Sequence, residues 1–272
     1  MTIGIFDSGL GGLGAAKAII SALPDQKIVY FGDTARTPYG NKAPELVQKY
    51  ARENVRFLLK KKADIIVVGC NTASAVAAAS LRKEFSNLPI FEVISPAVRE
   101  ALRVSGDGNI GVIGTRNTIQ SGAYQSWIPK VHSRACPLFV PLVEAGHITE
   151  ASTYEIAQQY LLPLKRVGVD TLILGCTHYP FLKPVISRIM GGRVKLVDSG
   201  RTVAKEVAHF ITPPTSPYLK GRSQTIPPLK IRGVRGVMSA PKHEFYVSKK
   251  TPKFQELAEQ WLGMKIELKL TR

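Results

Sequence analysis

Short apolar runs, rich in Val and Ile, alternate along the chain with longer stretches whose apolar positions recur every three to four residues. The short runs are apolar on both faces, as in strands buried within a parallel sheet. Strands are expected at Thr2–Phe6, Lys27–Gly32, Asp64–Val68, Ile90–Val93, Asn109–Ile113, Leu138–Val143, Thr171–Leu174 and Lys195–Val197. Helices are expected at Ala43–Lys61, Ala73–Phe85, Pro96–Val104 and Ser152–Val167. This βαβα rhythm implies an α/β architecture with right-handed crossovers.

The pattern also repeats. Ala63-Asp64-Ile65-Ile66-Val67-Val68-Gly69-Cys70-Asn71-Thr72 is echoed, about 106 residues on, by Val169-Asp170-Thr171-Leu172-Ile173-Leu174-Gly175-Cys176-Thr177-His178. Ile3-Gly4-Ile5-Phe6-Asp7-Ser8 is echoed at nearly the same spacing by Ile110-Gly111-Val112-Ile113-Gly114-Thr115. Two echoes at one offset predict two similar α/β units, each with a cysteine at the carboxyl end of a strand, the edge where open α/β sheets bind ligands. The first domain is expected to comprise 1–95 plus 208–272, the second 96–207. Thr212–Pro241 is rich in Pro, Gly, Lys and Arg and reads as a long basic loop over 212–241. A strand at His243–Ser248, a helix at Thr251–Leu262 with Thr251 as N-cap, and a strand at Lys265–Leu270 should then fold back onto the first unit.

Composition narrows the picture. The 272 residues suffice for a sizeable core. No apolar run reaches the ~18 residues of a membrane span, and the N-terminus lacks the pattern of a signal peptide. A cytoplasmic protein is expected. The net charge of +17 favours acidic partners, but much of it is scattered over helices, as at Lys60-Lys61-Lys62. Three cysteines without a C-x-x-C pair argue against a disulfide framework and a structural zinc site.

The loop after the first strand tests the chemistry. Gly9, Gly11 and Gly14 spell G-x-G-x-x-G, and Asp33 follows where a dinucleotide fold would hold a ribose. Yet Asp7 stands between strand and glycines, and its carboxylate would face a pyrophosphate at a cost of several kcal/mol. The glycines are better read as a tight turn whose amides near Ser8 and Gly9 face an amino acid, with Asp7 aimed at Cys70 or a substrate ammonium.

Cys70 and Cys176 both follow Gly and precede helix starts, where the helix dipole lowers a thiol pKa from about 8.5 toward neutrality. Cys136 lacks such a setting and reads as structural. Two equivalent thiols, one per unit, suit a reaction that needs a base on each face of one carbon, namely racemisation. Each thiol needs a polar neighbour to move its proton. Asp7 ends the first strand, His178 follows Cys176 by two residues, and Glu144 ends the expected strand in the second unit.

These motifs carry a resemblance. Phe6-Asp7-Ser8-Gly9-Leu10-Gly11-Gly12, Asp33 to Gly40, Gly69-Cys70-Asn71-Thr72-Ala73, Pro141-Leu142-Val143-Glu144, Gly175-Cys176-Thr177-His178-Tyr179-Pro180 and Val197-Asp198-Ser199-Gly200 resemble, in order, those of the cofactor-independent aspartate/glutamate racemases, and of glutamate racemases in particular. The resemblance spans roughly Ile3 to Ile211. It implies two similar flavodoxin-like parallel-sheet domains related by pseudo-two-fold symmetry, with the active site between them. It implies an isomerase that interconverts L- and D-glutamate without cofactor or metal and supplies D-glutamate for peptidoglycan. Carried over by motif position, Cys70 would deprotonate D-glutamate and Cys176 L-glutamate. Asp7, Glu144 and His178 would assist. Asp7, Ser8, Pro38, Tyr39, Gly40, Asn71, Thr72, Thr115, Thr177 and His178 would hold the substrate. A homodimer is expected. Gly14, Ala145-Gly146-His147 and the basic loop depart from the family pattern. Three other readings stand beside this one. One is an aspartate, hydantoin or other amino-acid racemase of the superfamily. Another is an added contact with DNA gyrase or nucleic acid through Lys220, Arg222, Lys230, Arg232 and Arg235. The last is a protein that keeps the fold with little activity.

Overall fold

A computed structural model describes residues 1–213 and 242–271. The expected basic loop, with Lys220, Arg222, Lys230, Arg232 and Arg235, lies outside the described residues apart from its first two positions.

The chain enters as β1 (Thr2–Asp7), α1 (Leu13–Ala22), β2 (Lys27–Gly32), α2 (Pro44–Lys60), β3 (Ile65–Val68), α3 (Asn71–Glu84), β4 (Ile90–Glu92) and α4 (Ile94–Val104). It repeats the scheme as β5 (Ile110–Gly114), α5 (Arg116–Gln120), β6 (His132–Ala135), α6 (Phe139–Ala145), α7 (Ala151–Arg166), β7 (Thr171–Gly175), α8 (Lys183–Met190), β8 (Lys195–Asp198) and α9 (Ser199–Ile211). After the undescribed stretch come β9 (Glu244–Val247), α10 (Pro252–Leu262) and β10 (Leu268–Leu270).

The strands form two parallel sheets, ordered β10-β9-β2-β1-β3-β4 and β6-β5-β7-β8. The internal echo is thus structural: β2-β1-β3-β4 corresponds strand for strand to β6-β5-β7-β8. The C-terminal segment adds to the first sheet, with β9 on β2 and β10 on β9. Central strands are wholly buried, β3 and β7 throughout, which is why they carry no polar alternation. Thr251 caps α10 as its sequence suggests, its hydroxyl accepting from the Phe254 amide at 3.2 Å. Among the described residues no helix is long and apolar enough to cross a membrane.

One expected strand is a helix. Leu138–Val143 contains most of α6, in which Phe139 and Val143, four residues apart, are buried while Leu138 is 47 % exposed. Pro141 falls in the first turn, where a missing N–H leaves no helical hydrogen bond unmade. The strand that fills the corresponding edge is β6. Its residues, His132-Ser133-Arg134-Ala135, are largely polar and only partly covered, so no apolar run marks it. Glu144 therefore sits on a helix and not at the end of a strand.

Candidate active site

The repeated units bring their strand ends together around a small pocket. Ser8 follows β1, Cys70, Asn71 and Thr72 follow β3, Thr115 follows β5, and Cys176, Thr177 and His178 follow β7. Thr37, Pro38, Tyr39 and Gly40 add a wall from the turn after β2, and Val140 adds one from α6. Every expected substrate-contact residue except Asp7 lines this space. Asp7 lies beneath it, fully buried. Thr37 and Val140 were not named as pocket residues, although Thr37 lies within the quoted Asp33–Gly40 motif and Val140 sits beside the one that starts at Pro141.

The glycine turn serves protein contacts. The Gly9 amide donates to Asp7 Oδ2 at 3.0 Å, and the Tyr30 hydroxyl donates to the Gly9 carbonyl at 2.7 Å. A Cβ on Gly11 would lie 2.3 Å from Thr177 Oγ1 and 2.6 Å from His178 Nδ1, so only glycine lets the first unit approach the second thiol's loop this closely. Gly14, which completes the dinucleotide pattern, has open space at the same position. Asp33 binds no ribose. It accepts from Arg36 Nε at 2.7 Å, Ser248 Oγ at 3.0 Å and the Tyr39 hydroxyl, and so anchors the Pro38–Gly40 turn.

The two thiols have different company. Cys70 is the N-cap of α3; its sulfur accepts from the Ala73 amide at 3.5 Å and lies 3.7 Å from Ser8 Oγ. The helix start was expected to lower this thiol's pKa. Instead burial, reinforced by the nearby Asp7 charge, pushes it up to about 12, and the Ala73 and Ser8 contacts recover only part. Burial likewise raises the Asp7 carboxyl, against the pull of His178 and three backbone amides. One Asp7 oxygen, Oδ1, has no hydrogen-bond partner among the described residues.

At the other thiol, Cys176 Sγ lies 3.9 Å from His178 Nδ1, and His178 Nε2 lies 3.2 Å from Glu144 Oε1. Burial alone would lower the imidazole pKa. The contacts with Cys176 and Glu144 outweigh it and raise His178 to about 10. Trp261 of α10 meets the imidazole edge-on, with ring centroids 5.8 Å apart. Glu144 does not line the pocket; it reaches the thiol only through His178. Cys136 sits in the core with no exposure.

Hydroxyls and amides line the remainder. Thr72 Oγ1 lies 2.9 Å from Thr115 Oγ1 and 3.2 Å from Thr118 Oγ1, joining the two units. Asn71 Nδ2 donates to the Tyr124 hydroxyl at 3.1 Å. Neither Thr118 nor Tyr124 carries a sequence signal, because each acts from the middle of an unremarkable segment. No Lys or Arg lines the pocket. An acidic ligand would be met by neutral donors. Among the described residues no group of three or more His, Cys, Asp or Glu could hold a metal ion.

Comparison with known proteins points to one family. The Asp/Glu/Hydantoin racemase family profile matches residues 15–207. A glutamate racemase from Geobacter metallireducens is 49% identical over 215 residues, covering 77% of this chain and 79% of that protein. The crystal structure of a glutamate racemase from Bacillus anthracis superposes with a TM-score of 0.87 at 37% identity, covering 100% of this chain and 97% of its own. A glutamate racemase from Francisella tularensis, crystallised with D-glutamate, gives a TM-score of 0.85 at 31% identity, covering 100% of this chain and 97% of its own. On sequence and fold together, the chain belongs to the Asp/Glu/hydantoin racemase family.

Proposed function

We propose that this chain is a glutamate racemase that moves the α-proton between two thiols on opposite faces of the substrate. The observation that carries the reading is one pocket holding two buried cysteines from equivalent strand ends, each with its own acid–base neighbour. The relatives are glutamate racemases, and the aspartate alternative is not favoured.

Bound glutamate sets its ammonium toward Asp7, whose Oδ1 lacks another partner. Its carboxylates take hydrogen bonds from Ser8, Asn71, Thr72, Thr115 and Thr177, with Pro38, Tyr39 and Gly40 closing the wall. From L-glutamate, Cys176 takes the α-proton while Cys70 gives its own to the opposite face. The Cα–H bond breaks toward one sulfur, and a new Cα–H bond forms from the other. From D-glutamate the roles exchange. Donors to the α-carboxylate stabilise the charge that develops as the proton leaves.

The environments suit this division. With its pKa near 12, Cys70 rests as a thiol at neutral pH, ready to donate. Its deprotonation for the D-to-L direction would cost roughly 7 kcal/mol by that value alone. A substrate ammonium beside Asp7 offsets the carboxylate charge that raises the thiol, so the substrate itself eases this step. His178, whose pKa is raised by Cys176 and Glu144, relays protons both ways: as imidazolium it gives one to the thiolate that a D-to-L turnover leaves, and as neutral imidazole it takes one from the thiol that an L-to-D turnover leaves.

The proposed domains, 1–95 plus 208–272 and 96–207, carry one sheet each, and the reaction occurs between them. The enzyme works in the cytoplasm, without a cofactor, and feeds peptidoglycan synthesis. It works as a homodimer, which sedimentation equilibrium tests. No observation among the described residues favours an added gyrase or nucleic-acid role.

The test is L-glutamate in D₂O with purified protein, followed by NMR at the α-position and by circular dichroism. Deuterium should enter as the optical signal decays. Cys70→Ser and Cys176→Ser should each lower racemisation by roughly 10³-fold, since one face then lacks its acid or base. A folded wild-type protein that neither exchanges the α-proton nor racemises glutamate would overturn the reading.

A further inference from the structure

The back of the pocket is covered, while its rim at Pro38 is exposed. Tyr39 is 1 % exposed, Asn71 2 %, Cys70 5 % and Cys176 6 %. A charged dicarboxylate needs more room than this tight pocket offers, so the two units must part to admit it. The contacts that cross the lip must therefore break and re-form in each turnover.

Three such contacts meet near α5. The hydroxyls of Thr72, Thr115 and Thr118 lie along the pocket wall or behind it, and so does the Asn71–Tyr124 pair. Asn117 is different. It does not line the pocket, yet its Nδ2 donates to the Tyr39 carbonyl at 3.0 Å and the Lys42 carbonyl at 2.5 Å. Both amide protons of one side chain in the second unit are spent on a single turn of the first.

That turn carries Pro38, Tyr39 and Gly40, three residues of the substrate wall. It is fastened to its own unit by the Tyr39 hydroxyl, which meets Asp33 and accepts from Asn54 Nδ2 at 3.1 Å. It also sits directly on α5: a Cβ on Gly40 would fall 2.7 Å from Thr115 Cβ. Seating depends on close approach, and Asn117 supplies directional bonds that hold it.

We infer that Asn117 is a latch, a positioning residue that holds the Pro38–Gly40 wall against the second unit when the cleft closes over substrate. The inference rests on the racemase reading of the pocket. Asn117 touches no reacting atom. It contributes to closure alike for both enantiomers and for the transition state, so its loss should appear in KM and not in the chemical step. Opening is eased by the same loss, so release of product is not slowed.

Asn117→Asp tests this best, since it keeps the shape and turns both donors into acceptors facing two carbonyls. Asn117→Ala removes the group altogether. In both variants KM for L- and D-glutamate should rise about tenfold, as expected for two neutral hydrogen bonds each worth a factor of a few. kcat should stay within about twofold of wild type or increase. Hydrogen exchange across 37–42 should be faster in both variants than in wild type, with and without D-glutamate. Unchanged KM in both variants, or a fall in kcat at unchanged KM, with circular dichroism showing an intact fold, would overturn the latch. Exchange of 37–42 in ligand-free protein needs no turnover. A wild-type protein that does not racemise glutamate but still protects this turn through Asn117 would therefore sink the proposed function and leave the latch standing.

Discussion

Asp7 carries a fully buried carboxylate, with one oxygen on the Gly9 amide and the other without a partner among the described residues. Burial raises its pKa, so the folded state binds the proton more tightly than the unfolded chain. Stability then falls as pH rises from the unfolded value of about 3.8 through the raised one. Asp7→Asn keeps an acceptor for Gly9 and removes the charge. Its Tm should rise by about 2–4 °C, equivalent to about 1 kcal/mol, while racemisation falls about 100-fold or more. Calorimetry beside the D₂O assay checks both, and a lower Tm would contradict the account. His178 has the opposite sign. Its pKa is raised to about 10, so the stability from its charge is complete below about pH 6.5 and is lost as pH climbs through about 10. In Glu144→Gln the carboxylate that favours imidazolium is gone. The alkaline limb of kcat/KM should then move to lower pH, and an unmoved limb would separate Glu144 from the relay. The side-chain types of these residues were legible in the motifs. The raised Cys70 pKa was not, since the helix start is visible in sequence and the depth of burial is not.

At the scale of elements, α10 shows what a distant segment contributes to the site. Trp261 is 6 % exposed, lies edge-on to His178 and packs on Phe181 with ring centroids 4.3 Å apart. Trp261→Ala should cost about 3–5 kcal/mol of stability by cavity formation. It should also lower kcat more than it raises KM, because the imidazole loses a wall. Urea unfolding and steady-state kinetics read the two effects separately, and a stable variant with normal kcat would show that the wall is dispensable. The strands of the central sheets could be read from sequence because both faces of each are apolar. Two strand assignments failed. The polar edge strand β6 lacks an apolar run, and Leu138–Val143 has the composition of a strand but the burial period of a helix. The second error placed Glu144 at a strand end. On α6 it lies 3.2 Å from His178 Nε2.

At the scale of the molecule, one continuous core contains Ile3 and Ile5 of β1, Leu172 and Leu174 of β7, Val203 of α9 and Phe245 of β9. Side chains of both sheets thus share neighbours through α1 and α9. Thermal unfolding of the full chain should show a single calorimetric transition with equal calorimetric and van't Hoff enthalpies. Two resolved transitions would mean that the interface is weaker than its packing suggests. The repeat that built this arrangement was legible as two echoes at one spacing, and the paired thiols followed from it. The sequence by itself determined the parallel strands, the thiol at each strand end and the small polar residues that surround them, because these depend on local pattern and residue chemistry. Only the tertiary structure decided that burial raises the Cys70 pKa, that Glu144 lies beside His178, and that Asn117 reaches across to the Tyr39–Lys42 turn. Each of these depends on burial or on distance between segments remote along the chain, and neither quantity is a property of any stretch of sequence.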